Sequence, residues 1–306
     1  MRDQLGLLIN EVSKVLYGKE KQIKQALTCL ISGGHLLIED LPGMGKTTLA
    51  HALAQVLSLD YQRLQFTSDM LPADILGVSI FESSSGQFVF HKGPVFTQLL
   101  LADEINRTTP KTQSALLEAM EERQVTVEGN TYALPEPFFV IATQNPISQY
   151  GTFPLPESQL DRFLMRVKLG YPSEEAEREL LTGGDARQKI PELKQCFSPD
   201  QLASLRGQCE QVAVSSSVLD YLQRLVKFSR ESSEFDYGIS PRGALALLNT
   251  AKTWAYIAGR DYVIPEDIQT LIDPVFAHRL RSSDSLSENS GTALVRMLLS
   301  EVDVVG

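Results

Sequence analysis

Leu36-Leu37-Ile38-Glu39-Asp40-Leu41-Pro42-Gly43-Met44-Gly45-Lys46-Thr47-Thr48-Leu49-Ala50 is the stretch whose reading decides the fold of this chain. Leu36-Leu37-Ile38 is an apolar run of the kind that forms a buried strand, and Thr47 to Ala54 reads as a helix. In a strand, glycine loop, helix unit, the loop N–H groups and the helix N-terminus converge on one point and cradle phosphate. There the Lys46 ammonium is expected to reach the β- and γ-phosphates and the Thr47 hydroxyl to bind Mg²⁺. Pro42, Gly43, Met44, Gly45 and Thr48 make up the rest of the cradle. The full pattern G-x-x-x-x-G-K-[ST] asks for glycine at position 40, where this chain has Asp40. On this stretch alone an ordinary strand-to-helix turn therefore stays open.

Working outward, Leu99-Leu100-Leu101-Ala102 ends in Asp103-Glu104. A central parallel strand is apolar along its length and delivers such groups to its C-terminal edge. Asp103 is expected in the metal shell, and Glu104 is expected to polarise a water for attack on the γ-phosphate. Phosphoryl transfer needs those parts: a phosphate cradle, a metal and an oriented nucleophile. Alone the acidic pair would read as a solvated loop start; behind a phosphate loop it reads as an ATP-hydrolysing site. Three further residues join it by position. Asn145 follows the strand Phe138 to Ala142 and would face the attacking water if that strand lies beside the Asp103 strand; Asn before Pro146 is also a common turn former. Arg162, in Glu157-Ser158-Gln159-Leu160-Asp161-Arg162-Phe163, precedes another strand at the sheet edge. That is too far round for its own phosphate, so it reads as an arginine finger for a neighbouring subunit or as a surface ion pair. Arg242, in Ser240-Pro241-Arg242-Gly243, sits in the first turn of a helix, where the helix dipole disfavours a cation by roughly 0.3–1 kcal/mol. An anionic partner such as a γ-phosphate would account for it, as would simple exposure.

The rest of the chain supports an α/β architecture. Helical spacing of apolar residues over 4 to 17 and 19 to 32 precedes the first strand, with a stop at Val15-Leu16-Tyr17-Gly18. Tyr61 to Phe66 and Leu164 to Leu169 complete five strands that alternate with helices, which predicts a parallel sheet in three layers. β-rich runs around Ser83-Ser84-Ser85-Gly86 and around Glu128-Gly129-Asn130 predict two hairpins, at 77 to 91 and 125 to 134. Thr109 caps a helix that begins with Pro110. Beyond Pro172 only helical signals occur, among them a capping box at Ser198 and Gln201, helix starts near Ser215, Ser240 and Pro265, and an amphipathic tail from about Ser287 to Val302. The expected division is an α/β domain over 1–182, a linker over 183–191 and an all-helical domain over 192–306.

Composition narrows the function classes. The 306 residues carry a net charge of −10, which argues against a standing affinity for nucleic-acid phosphates. No apolar run is long enough to span a bilayer, and the N-terminus lacks the pattern of a signal peptide. The three cysteines form no C-x-x-C pair, and the four histidines are scattered without a zinc-binding spacing, so reduced thiols in a cytoplasmic protein are expected.

The order of phosphate loop, Asp-Glu strand, Asn145, Leu160-Asp161-Arg162-Phe163 and Ser240-Pro241-Arg242-Gly243 resembles an AAA+ ATPase, and within that superfamily the MoxR family. Ile38 to Thr47, Leu101 to Arg107, Lys111 to Met120 and Ala142 to Pro146 carry the resemblance, which runs over essentially the whole chain. In that family Asp often stands where the first loop glycine would be. The resemblance implies a P-loop fold with a five-stranded parallel sheet, hairpin inserts and a smaller all-α lid. It implies that Lys46, Glu104, Asn145, Arg162 as finger and Arg242 as second sensor do the chemistry, and that Tyr17 and Gly18 lie near the adenine. It also implies ATP and Mg²⁺ as ligands, a ring of copies (usually six), and chaperone-like action on partner proteins, often ones with a von Willebrand factor A domain. Arg107 is a candidate for a further inter-subunit sensor. The other readings kept open are the ATPase subunit of a metal chelatase, a nucleic-acid-linked AAA+ motor, and a nucleotide-dependent scaffold with negligible turnover.

Overall fold

The computed structural model describes residues 1–84, 86–145, 151–183, 185–282 and 290–305. Ser85 in the first hairpin turn, Pro146 after Asn145, Gly184 in the expected linker and the 287–289 start of the tail lie outside the described residues.

Helices α1 (Arg2–Ser13) and α2 (Glu20–Ile31) lead to β1 (His35–Glu39), the glycine loop and α3 (Lys46–Val56). Next come β2 (Tyr61–Gln65), a short α4 (Pro72–Leu76) and the hairpin β3 (Gly77–Glu82) with β4 (Gln87–Lys92). Strand β5 (Leu99–Asp103) is followed by α5 (Pro110–Glu122), the second hairpin β6 (Gln124–Val127) with β7 (Asn130–Ala133), and β8 (Phe139–Gln144). After α6 (Glu157–Leu160), β9 (Phe163–Val167) and α7 (Glu174–Gly183) come the helices α8 (Pro199–Glu210), α9 (Ser216–Glu231), α10 (Pro241–Ile257), α11 (Pro265–Phe276) and α12 (Ser290–Glu301).

The predicted sheet is present: five parallel strands in the order β2-β5-β8-β1-β9. Strands β5 and β8 are buried along their whole length, as expected of strands covered on both faces. Alternate residues feed two cores. Leu36, Ile38, Leu101 and Ile141 pack under α1, α2 and α3, and this core continues into the helical half through Leu205, Leu247 and Leu271. Leu37, Leu100 and Val140 point the other way, toward Leu116, Leu117 and Met120 of α5. That period of two is the strand geometry itself.

Both hairpins form in the predicted places. Thr109 caps α5, and the Ser198 capping box closes in both directions: Ser198 Oγ accepts from Gln201 N at 3.3 Å, and Gln201 Oε1 accepts from Ser198 N at 3.0 Å. Within the stretch read as a linker, Ala186–Glu192 forms a 3-10 helix whose Ala186 and Ile190 are buried. The helical half also holds two isolated bridges, Ala213 with Tyr262 and Tyr237 with Arg281, besides its helices. His35 is a packing residue: its Nδ1 accepts from Val140 N at 3.0 Å, and burial pushes its pKa down to about 4.

Candidate active site

The loop between β1 and α3 closes on left-handed glycines. Gly43 and Gly45 have φ of 86° and 91°, and a side chain on Gly45 would meet Leu16 at 2.9 Å. Gly45 is the N-cap of α3 and has no side chain to satisfy the first-turn N–H groups, which stay free to bind an anion. A cleft of about 470 Å³ opens there, a size ordinary for a small-molecule site. Its walls include Tyr17, every residue from Pro42 to Thr48, Asp103, Glu104 and Asn145. The structure thus brings the predicted loop, base-side and acidic residues together. Gly18 is not on the wall; with φ of 66° it turns the chain beside Ala176. Leu180, Asp185, Ala186 and Arg187 are also on the wall, so α7 and the 3-10 helix, which the sequence had not marked as functional, help form the cleft.

Lys46 is buried. Its Nζ donates to the Asp40 carbonyl at 2.7 Å and to Asn145 Oδ1 at 3.3 Å. Burial lowers its pKa, while Asp103, Asp40 and Glu104 act against that shift. Asp40 is here a fastening rather than a flaw in the loop. Its Oδ1 accepts from Leu41 N at 2.9 Å, and its Oδ2 accepts from Gly170 N at 2.6 Å, which ties the loop to the chain leaving β9. Lys19 holds the same exit, donating to the carbonyls of Leu169, Gly170 and Tyr171. Asp40→Gly, which would restore the full glycine pattern, is therefore expected to destabilise the protein by about 2 kcal/mol, the scale of a hydrogen bond to a charged group. Urea unfolding measures this; an unchanged midpoint would remove the fastening role.

The two carboxylates stand where β5 ends. Glu104 is in the left-handed region (φ 59°, ψ 47°), a conformation uncommon outside glycine that turns the chain sharply at the strand end. Its N–H donates to Thr143 Oγ1 at 2.8 Å, and that hydroxyl donates to Asp103 Oδ1 at 2.6 Å. β8 does lie beside β5, which meets the condition set for Asn145. Asn145 Nδ2 donates to Glu104 Oε1 at 2.9 Å, so this amide links the lysine to the glutamate.

Two partners of the carboxylates and one of Asn145 were not expected. Arg63 Nη2 donates to Asp103 Oδ2 at 2.7 Å, Gln65 Nε2 donates to Glu104 Oε2 at 3.0 Å, and Asn106 Nδ2 holds the Asn145 carbonyl at 3.0 Å. Arg63 and Gln65 are two apart on β2 and so share a face, and Gln65 is in register with Asp103. That spacing was visible; the neighbouring strand was not. Arg107, read as an inter-subunit sensor, pairs at 3.1 Å with Glu104 of its own chain.

The arginines lie elsewhere. Arg162 pairs with Glu121 Oε2 at 3.1 Å and Arg242 with Glu121 Oε1 at 3.3 Å. Both line a hollow with Gly34 and His35, at the start of β1, whereas the phosphate loop begins beyond the end of that strand. Five strand residues span roughly 16 Å at about 3.3 Å each. Neither arginine reaches this chain's own phosphate loop. The anion that Arg242 meets within the chain is the Glu121 carboxylate.

Among the described residues no group of three or more His, Cys, Asp or Glu side chains is placed to hold a metal by itself, and no helix is long and apolar enough to cross a membrane. Thr47 and Asp103 nonetheless suit Mg²⁺, a hard cation that takes one or two carboxylates and fills its shell with phosphate oxygens and water. Asp103 already faces one cation, Arg63.

Comparison with known proteins agrees with this geometry. The profile of the ATPase family associated with various cellular activities (AAA) matches residues 35–165, and that of the AAA lid domain matches residues 227–297. The uncharacterized protein YeaC of Bacillus subtilis is 42% identical over 98% of this chain and 94% of its own length. Chaperone MoxR1 of Mycobacterium tuberculosis is 39% identical over 94% of this chain and 78% of its own length. A crystal structure from Cytophaga hutchinsonii, described as that of a candidate ATPase, superposes with a TM-score of 0.88 at 38% identity, over 99% of this chain and 95% of that one.

Proposed function

The chain belongs to the MoxR family of AAA+ ATPases, and on that premise we propose that it hydrolyses ATP in sites shared between neighbouring copies and uses the turnover to remodel partner proteins. One observation carries the reading: the phosphate loop with its carboxylates and the Arg162–Arg242 pair stand at opposite ends of β1. Each end holds part of a phosphoryl-transfer site, and two copies bring the parts together.

In that reading Lys46 gives up the Asp40 carbonyl and turns its N–H groups to the β- and γ-phosphates, beside the α3 N-terminus. Thr47 and Asp103 hold Mg²⁺, which when bound offsets charge building between those phosphates. Glu104 takes the proton of the attacking water, and Asn145, bonded to both Glu104 and Lys46, keeps that carboxylate aimed. Arg162 and Arg242 of the neighbouring copy leave Glu121 and face the γ-phosphate. Tyr17 lies against the base. The assembly is taken as a hexameric ring in the cytoplasm, acting on protein partners such as those with a von Willebrand factor A domain. No nucleic-acid partner is assigned to a chain of charge −10.

The test is Mg²⁺-dependent ATP hydrolysis as a function of protein concentration. Turnover per chain should rise as copies associate, in step with the mass seen by analytical ultracentrifugation. Turnover that is the same for a single chain and for the assembly would refute the shared site, and no turnover at all would leave a scaffold.

A further inference from the structure

Past the end of α11, the lid presses His278 and Arg279 onto the piece of chain that carries Arg162. Arg279 is a buried cation, and its five N–H donors all find acceptors. Nε pairs with Asp161 Oδ1 at 2.6 Å, and Nη2 donates to the carbonyls of Phe163 at 2.8 Å and Asp161 at 3.3 Å. Nη1 donates to the Leu164 carbonyl at 3.3 Å and to the Val275 carbonyl of α11. His278 Nε2 adds a bond to the Phe163 carbonyl at 3.0 Å, and burial drives its pKa well below the ordinary value, so it acts as a neutral donor.

Residues 161–164 are thus gripped from the lid on both sides of Arg162, whose own side chain stays free of Arg279 and points to Glu121. The stem of the same side chain lies against α10. A side chain on Gly243 would come within 3.4 Å of Arg279 Cδ, and Gly243 follows Arg242 directly. Burying a cation costs desolvation that an apolar contact would not incur. What the cation adds is direction: a planar fork sets the angle and register of the strand entry it holds.

From this geometry we infer that Arg279 is a positioning residue, which locks residues 161–164 to the lid so that Arg162 and Arg242 are presented to the neighbouring copy as one unit. The inference rests on the proposed trans role of the two arginines. Its content is that a lid movement in one copy reaches the next copy's nucleotide through Arg279.

Arg279→Lys keeps the charge but loses the fork, and Asp161→Asn keeps the volume but loses the ion pair, so the second reads the effect if the first does not fold. Both should bind ATP with unchanged affinity, because the phosphate loop is at the far end of β1, and both should lose at least about 10-fold in turnover. Adding Glu104→Gln copies, which lack the base but carry an intact grip and finger, should return several-fold of the lost rate. A purely structural role predicts weaker ATP binding and no such recovery. Turnover within twofold of the unaltered protein in both variants overturns the inference. So does a loss that Glu104→Gln copies fail to recover while Arg162→Ala is recovered under the same conditions. If Arg162→Ala is not recovered either, the trans role itself falls, and this inference with it.

Discussion

Replacing Arg162 with alanine is expected to lower ATP turnover by about 10³–10⁵-fold, the range in which an arginine finger acts, while the variant still binds ATP. The size of the effect separates two roles. Within one chain Arg162 makes a partly exposed ion pair with Glu121, and such pairs contribute about 0–1 kcal/mol. Were that its whole purpose, alanine would shift the melting point slightly and leave hydrolysis alone. A group that meets charge only as the γ-phosphate departs acts on the barrier instead, in a different chain. Mixed assemblies make the point directly. Arg162→Ala copies retain Lys46, Asp103 and Glu104, and Glu104→Gln copies retain the finger, so a junction between the two holds one complete site. Steady-state hydrolysis should pass through a maximum as the mixing ratio varies; a curve that only interpolates between two inactive parents defeats the trans assignment.

The second large effect is expected for Glu104→Gln: unimpaired ATP binding with a loss of about 10²–10⁴ in turnover, the usual contribution of a general base. Glutamine keeps one oxygen, which can accept from Gln65 and Arg107 as Oε2 does, and gives up the Asn145 bond at Oε1, so most of the cleft should hold its shape. What disappears is the charge that receives the proton. Single-turnover measurements with bound ATP isolate the chemical step, and a rate within a few-fold of the unaltered protein would move the base elsewhere. The same variant, held in its ATP state, is suited to capturing the partner protein.

Much of the site was readable because its signals are local. The glycine loop, the acidic end of β5, the Thr109 cap and the Ser198 capping box each lie within a few consecutive residues, and short apolar runs between helical stretches counted the five strands. The parts that were not readable depend on contacts between distant segments. Arg63 and Gln65 matter because β2 lands beside β5, which nothing in β2 announces. Asp40 looked like a defect in a loop pattern and proved to be held by Gly170, far along the chain. For Arg242 the helix-dipole argument called for an anion; the one it meets within the chain, Glu121, arrives on α5 and could not be read from the Arg242 segment. Arg279 carried no signal at all: a basic residue after a helix reads as solvated surface until the fold buries it. Helix α7 is short, acidic and largely polar, with Ala176, Leu180 and Leu181 as its apolar residues, too few to mark it.

Strand β1 gives each copy a direction. On the proposed function one end would accept phosphate and the other would donate arginines, so joining two copies would use up one end of each and leave one of each kind exposed. Contacts of that head-to-tail kind either close into a ring or continue without limit. An open row of n copies then contains n − 1 complete sites and always wastes one cradle and one arginine pair; closure makes the last site. With such shared sites, catalytic capacity would be a count of junctions rather than of chains.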